Sequence, residues 1–136
     1  MRANPGLQTV LDASALLAYL QDEPGSEKVE AALDNAGISA VNLAEVLTTA
    51  LHKRGELPAV LGPQLLALGI QPFDFTVEDS MEVAELWAGT KSQGLSLGDR
   101  ACLALARRLR ARVLTAERHR DWRKLGLKGV EIEVIR

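Results

Sequence analysis

The stretch LSLGDRACLALARRL (95–109) decides how this chain is read. It opens on a small turn, Ser96, Leu97 and Gly98, reaches an acid at Asp99, and runs on as an apolar-periodic helix. Asp99, Cys102, Leu103 and Ala106 recur at i, i+3, i+4 and i+7, so they share one side of that helix. Arg100, Arg107, Arg108 and Arg110 lie mostly elsewhere around it. The carboxylate therefore stands in the first turn, at the border between a buried face and a cleft. Ser96 and Asp99 also fit the capping box, in which the acid satisfies the open N–H groups of the helix start. On these residues alone, a cap and a functional acid are both open.

Outward from this helix the chain alternates between short strands and helices. Towards the C-terminus, residues 113–115 read as a buried strand ending in a polar cluster, 118–125 as a short helix, and 130–135 as a last strand. Towards the N-terminus, residues 8–11 form a strand that ends at Asp12, followed by the helix formers ASALLAYL and a break at Pro24-Gly25. A second helix spans 27–35 with Ser26 as its cap and Gly37 closing it. A strand at 38–41 leads into a helix capped by Asn42, with Glu45 in its first turn and off its apolar stripe. Residues 57–68 are Leu-rich but carry Gly62 and Pro63, which reads as a broken helix, and 70–73 form a third strand. The helix over 77–93 places Met81, Ala84, Leu86 and Trp87 on or near its core side and Asp79, Glu82 and Glu85 in solvent.

This alternation implies an α/β fold, with a parallel sheet, right-handed crossovers and helices on both faces. At 136 residues, 47% of them hydrophobic, the chain forms one domain (1–136) around one core. No apolar run approaches a membrane span, and the start MRANPGLQ has no signal core, which points to a cytoplasmic protein without a membrane partner. The lone cysteine, Cys102, reads as a core residue, and His52 and His119 as surface histidines. The net charge of −2 hides an asymmetry. Residues 1–90 carry 4 basic and 13 acidic side chains, and residues 91–136 carry 12 basic and 5 acidic. That pattern suits an anionic partner for the C-terminal part, or simply an arginine-rich helix surface.

Asp12, Glu45 and Asp99 each have a cap explanation, yet all fall at or near one edge of the expected sheet, where ligands bind in such folds. Clustered carboxylates repel one another, and a divalent cation removes that cost. Oxygen-only ligation suits Mg²⁺ or Mn²⁺, and phosphodiester hydrolysis is the natural reaction class. A phosphoaspartate chemistry at Asp12 would want a helper lysine near a later strand end, and the 113–115 strand ends without one.

VLDASALLAYL (10–20), AVNLAEVL (40–47), LSLGDRACLALARRL (95–109) and VLTAERHRDW (113–122) resemble, in order and spacing, the four signature segments of the PIN-domain family. The likeness covers nearly the whole chain and is closest to the VapC-type toxin ribonucleases of toxin–antitoxin pairs. It implies a three-layer α/β/α sandwich around a parallel sheet of four to five short strands. It further implies a metal-dependent endoribonuclease in which Asp12, Glu45 and Asp99 hold Mg²⁺ or Mn²⁺, with Glu117 or Asp121 completing the set. Ser14 and Thr115 would position water or carboxylates, and Arg100, Arg118 and Arg120 would contact RNA phosphates. Glu117 stands where the family usually has Asp, which leaves a catalytically weakened RNA- or protein-binding module as the alternative. The resemblance also implies a homodimer and an antitoxin protein covering the acidic site and the 57–68 region.

Overall fold

A computed structural model describes residues 7–118 and 129–136. The chain runs β1 (Thr9–Leu11), α1 (Ala13–Leu20), α2 (Ser26–Ala32), β2 (Ala36–Ser39), α3 (Ala40–Arg54), α4 (Pro58–Leu66), β3 (Gln71–Phe73), α5 (Val77–Thr90), α6 (Leu97–Leu109), β4 (Arg112–Thr115) and β5 (Ile132–Val134). The five strands form one sheet in the order β3-β2-β1-β4-β5. Every neighbouring pair is parallel, with Val10 opposite Gly37 on one side and Val113 on the other. The chain steps outward from β1 to β2 and β3, then crosses back over β1 to lay down β4. The carboxyl ends of β1 and β4 therefore flank the point where the winding reverses, which is where open α/β sheets bind ligands.

Successive strand residues point to opposite faces, and the core splits accordingly. Leu11, Ile38 and Leu114 pack with Ala15, Leu16, Val46 and Leu65 beneath α1 to α4. Val10 and Val113 pack with Val83, Leu86, Cys102 and Leu103 beneath α5 and α6. The sheet is thus covered on both faces, as short, apolar parallel strands require, and the three-layer expectation holds. No helix among the described residues is long and apolar enough to cross a membrane.

Several local readings shift. The second strand lies at Ala36–Ser39 rather than 38–41, and Ser39, not Asn42, caps α3 by accepting from the Val41 N–H at 3.2 Å. Gly37 belongs to this strand instead of closing a helix. A Cβ there would stand 2.8 Å from the Phe73 ring, so glycine is what lets β2 and β3 pair at this point. Helix α2 begins at Ser26 with Gly25 as its N-cap, and its last turn tightens at Leu33–Asn35. The 57–68 segment is one helix. Pro58 occupies its first turn, Pro63 is accommodated inside it, and Leu61 and Leu65 are buried.

Helix α5 is turned relative to expectation. Its buried line is Asp79, Val83, Leu86 and Thr90, while Met81 and Trp87 are exposed. The reason is a pairing that local periodicity does not reveal: Arg108, near the end of α6, reaches Asp79 at 3.3 Å and makes the buried acid tolerable. The helix expected over 118–125 lies outside the described residues apart from Arg118.

Candidate functional site

The end of β1 and the end of β4 are tied by side chains. Asp12, almost fully buried, caps α1 through Oδ1, which accepts from the Ala15 N–H at 2.8 Å and from the Ser14 hydroxyl at 2.7 Å. Ser14 Oγ lies 3.2 Å from Thr115 Oγ1 and accepts from the Ala116 N–H at 2.9 Å. Thr115 Oγ1 in turn accepts from the Glu117 N–H at 3.1 Å. One hydroxyl pair therefore fixes both Asp12 and the backbone that carries Glu117.

The other two acids come from helices, Asp99 from the first turn of α6 and Glu45 from the second turn of α3. Asp99 closes a capping box: its Oδ2 accepts from the Ser96 N–H at 2.9 Å, and its own N–H donates to Ser96 Oγ at 3.1 Å. Glu45 projects from α3 towards the same turn of α6. Its Oε1 accepts from Asn42 Nδ2 at 3.0 Å, and its carboxyl lies directly over Gly98. The cap and site readings of these acids are thus compatible, because each carboxylate that caps a helix does so at the edge where the others gather.

The acids form one electrostatic group. Burial pushes the Asp12 carboxyl up to about 6; hydrogen bonds from Thr115, Ser14 and Ala15 oppose this, and the charge of Glu117 adds to it. Loss of water around the Glu45 carboxyl raises it as well, opposed by the Asn42 hydrogen bond and reinforced by Asp99 and Glu117. Cys102 lies beneath them. Its burial, and then the charges of Asp12, Asp99 and Glu45, hold the thiol protonated, which makes it a core residue and no nucleophile. Asp12 and Glu45 make no ion pair with any described residue.

Among the described residues, no three Asp, Glu, His or Cys side chains are gathered tightly enough to form a ready cation cage. The donor set nevertheless suits a hard divalent ion. It offers carboxylate oxygen only, Asp12 and Glu45 are raised in proton affinity by burial and by neighbouring acids, and among the described residues these two have no cationic partner. Mg²⁺ keeps several of its waters and takes one or two carboxylates directly, so donors standing somewhat apart match its habit. A groove of about 640 Å³ runs along α3 beside Glu45, lined by Ala40, Val41, Ala44, Thr48 and Thr49.

The remaining expected residues are placed as follows. Arg100 donates from Nη1 to the Val83 carbonyl at 2.9 Å and so joins α6 to α5. Arg118 is exposed, one residue past Glu117, while Arg120 and Asp121 lie outside the described residues. Much of the basic surplus of the C-terminal part is used within the fold: Arg107 pairs with Glu82, Arg108 with Asp79, Arg112 with Glu133 and Arg136 with Glu23. Two residues of the edge escaped sequence reasoning, Asn42 and Gly98. Their sequence context makes Asn42 a cap and Gly98 part of a turn. Their signal was a glycine inside a helix start, where it is unfavourable without a packing reason.

One chain of a DNA-bound VapBC structure from Salmonella typhimurium superposes with a TM-score of 0.68 at 17% identity, covering 96% of this chain and 99% of that one. A VapBC2 structure from Rickettsia felis, bound to a promoter DNA fragment, gives 0.72 at 15% identity over 94% and 98%. VapC20 of Mycobacterium tuberculosis, a sarcin–ricin loop cleaving toxin, gives 0.72 at 17% identity over 91% and 99%. At these identities the likeness establishes the fold. No curated protein matches the chain in sequence. The PIN domain model matches residues 9–126, which span β1 to β4 and the point between β1 and β4 where the winding reverses: the chain belongs to the PIN-domain family.

Proposed function

We propose that this protein is a metal-dependent endoribonuclease and the toxin of a toxin–antitoxin pair. The observation that supports the reading is that Asp12 and Glu45, from separate elements, are both raised in proton affinity by burial, with the charge of Glu117 adding to both and that of Asp99 to Glu45. Asp12, Glu45, Asp99 and Glu117 would hold Mg²⁺ or Mn²⁺, with Asp121 as the other candidate for the last place. When bound, the cation supplies positive charge against the scissile phosphate and makes a water easier to deprotonate. Asp12 is ionised above about pH 6 and is held in one orientation by Ser14 and Ala15. Thr115 fixes the start of the segment that carries Glu117. Arg118, exposed beside the edge, and Arg120 are proposed to contact RNA phosphates. Arg100 is partly engaged by Val83 and would add a third contact from its side of α6.

The partner proposals rest on exposed apolar surface. Leu57, Val60 and Leu66 of the α4 region are exposed, which suits cover by an antitoxin segment reaching towards the acids. The structural neighbours from Salmonella and Rickettsia are toxin–antitoxin complexes, which supports the same reading. A homodimer in the cytoplasm is proposed with it, and gel filtration of the chain alone tests the dimer.

The decisive experiment incubates the protein with structured RNAs, including tRNA and a fragment carrying the sarcin–ricin loop, in Mg²⁺, Mn²⁺ or EDTA. Asp99→Asn runs beside the wild type. Cleavage that needs the cation and is lost in the variant supports the nuclease. Cleavage that persists in the variant overturns the site. Cation binding without cleavage of any RNA favours the weakened binding module.

A further inference from the structure

Glu45 differs from the other acids of the edge in how it is held. Asp12 and Asp99 accept from backbone N–H groups of their own helix starts, whereas Glu45 depends on one side chain, Asn42. Asn42 is 1% exposed, and its Nδ2 donates both to Glu45 Oε1 and to the Gly98 carbonyl, each at 3.0 Å. These two bonds use both N–H groups of the amide. The Gly98 contact spans 56 residues of sequence and joins α3 to the first turn of α6. The amide oxygen, Oδ1, is buried and has no hydrogen-bond partner among the described residues. Stability alone would favour an apolar residue of this size over an amide with an orphaned oxygen. Gly98 completes the arrangement. A Cβ at this position would overlap Glu45 Oε1 and stand 2.7 Å from its Cδ, so the carboxyl can lie there only over a glycine.

We propose that Asn42 and Gly98 form a latch that holds the Glu45 carboxylate against the head of α6, which makes Asn42 a positioning residue for the divalent cation. This rests on the cation-site reading above. A glutamate on an open helix surface samples many rotamers, and fixing it in advance removes an ordering cost from binding. The amide also settles which carboxylate oxygen is engaged and which is turned to the cation. Gly98, placed between Asn42 and Asp99, ties the same adjustment to the third acid.

The test is Mn²⁺ titration by calorimetry on wild type, Asn42→Ala, Gly98→Ala and the double variant, with urea unfolding of each in EDTA. Asp79→Asn serves as a control that loosens the fold away from the edge. Loss of an outer orienting group lowers metal affinity about 10- to 100-fold, and that is expected for both single variants. Gly98→Ala is the safer of the two for folding, because alanine favours the helix it enters; it decides alone if Asn42→Ala does not fold. Both substitutions act on one carboxylate, so the double variant should lose no more than the worse single one. Losses that multiply, or single variants that bind within twofold of wild type, overturn the latch and leave the cation site standing. Wild type that binds no Mn²⁺ overturns both. Asp79→Asn should lose stability and keep its affinity.

Discussion

Helices α5 and α6 begin with the same device. Thr76 and Asp79 form a capping box at the head of one, Ser96 and Asp99 at the head of the other, with matching bond lengths of 2.9 and 3.1 Å. Arg108 near the end of α6 meets Asp79 near the start of α5, so the helices run antiparallel and the two boxes lie at opposite ends of the pair. At one end the acid is buried and answered by an arginine. At the other it stands beside Glu45, whose proton affinity it raises. Identical local chemistry thus yields a structural joint in one place and part of an anionic cluster in the other. Motif and cap geometry do not separate these outcomes. What separates them is the charge that the rest of the fold delivers to each end.

The largest expected effect breaks this comparison directly. Asp99→Asn keeps the size and much of the capping ability but removes the charge, and should lower RNA cleavage about 100-fold or more. Asp79→Asn should leave cleavage within twofold and cost about 1 kcal/mol in urea unfolding, as a partly exposed ion pair would. Equal effects of the two on cleavage would mean that the acid edge has no special standing.

A second test concerns stability against pH. The Asp12 carboxyl stands at about 6 in the fold against an ordinary 3.8, so the folded chain holds that proton more tightly than the unfolded chain. Its contribution therefore favours the fold below about pH 4 and is lost as pH rises through about 6. Asp12→Asn should then stabilise the cation-free protein at pH 7.5 by about 3 kcal/mol, from about 1.4 kcal/mol per unit, with the gain vanishing towards pH 4. Asp79→Asn destabilises at neutral pH instead, and opposite signs in EDTA-treated samples would separate the two kinds of acid. A destabilised Asp12→Asn at pH 7.5 would sink the idea that Asp12 is held against its own solvation.

The smallest effect comes from the caps themselves. Thr76→Ala and Ser96→Ala should each cost about 1 kcal/mol by chemical unfolding. Only Ser96→Ala should also weaken Mn²⁺ binding, because only there does the cap orient an acid of the edge.

The same contrast explains what was legible in the sequence. The alternation of strands and helices, Asp12 at the end of β1, Thr115 at the end of β4 and the Ser96–Asp99 box were all readable, because each rests on residues close together in the chain. The misplaced features depend on distant partners. Asp79 looked solvated because Arg108 lies 29 residues on. Asn42 looked like a cap because its second acceptor, the Gly98 carbonyl, lies 56 residues on. The strand before α3 looked two residues late because its small residues, Ala36 and Gly37, make sense only against Phe73 in β3. The basic surplus after residue 90 suggested an external anion, while several of those arginines answer acids from the first part of the chain.

The parallel pairing of β1 with β4 has a consequence in time. Leu11 meets Leu114 in that register, so Asp12 and Glu117 become neighbours only after more than a hundred intervening residues have been made. At about 5–20 residues per second on the ribosome, the first and last acids are separated by roughly 5–20 s of translation. Until β4 arrives, the growing chain holds Asp12 without its Thr115 and Glu117 counterparts. The acid edge is therefore a late product of synthesis, and a chain cut short before β4 carries Asp12, Glu45 and Asp99 without the strand that ties the end of β1 to Thr115 and Glu117.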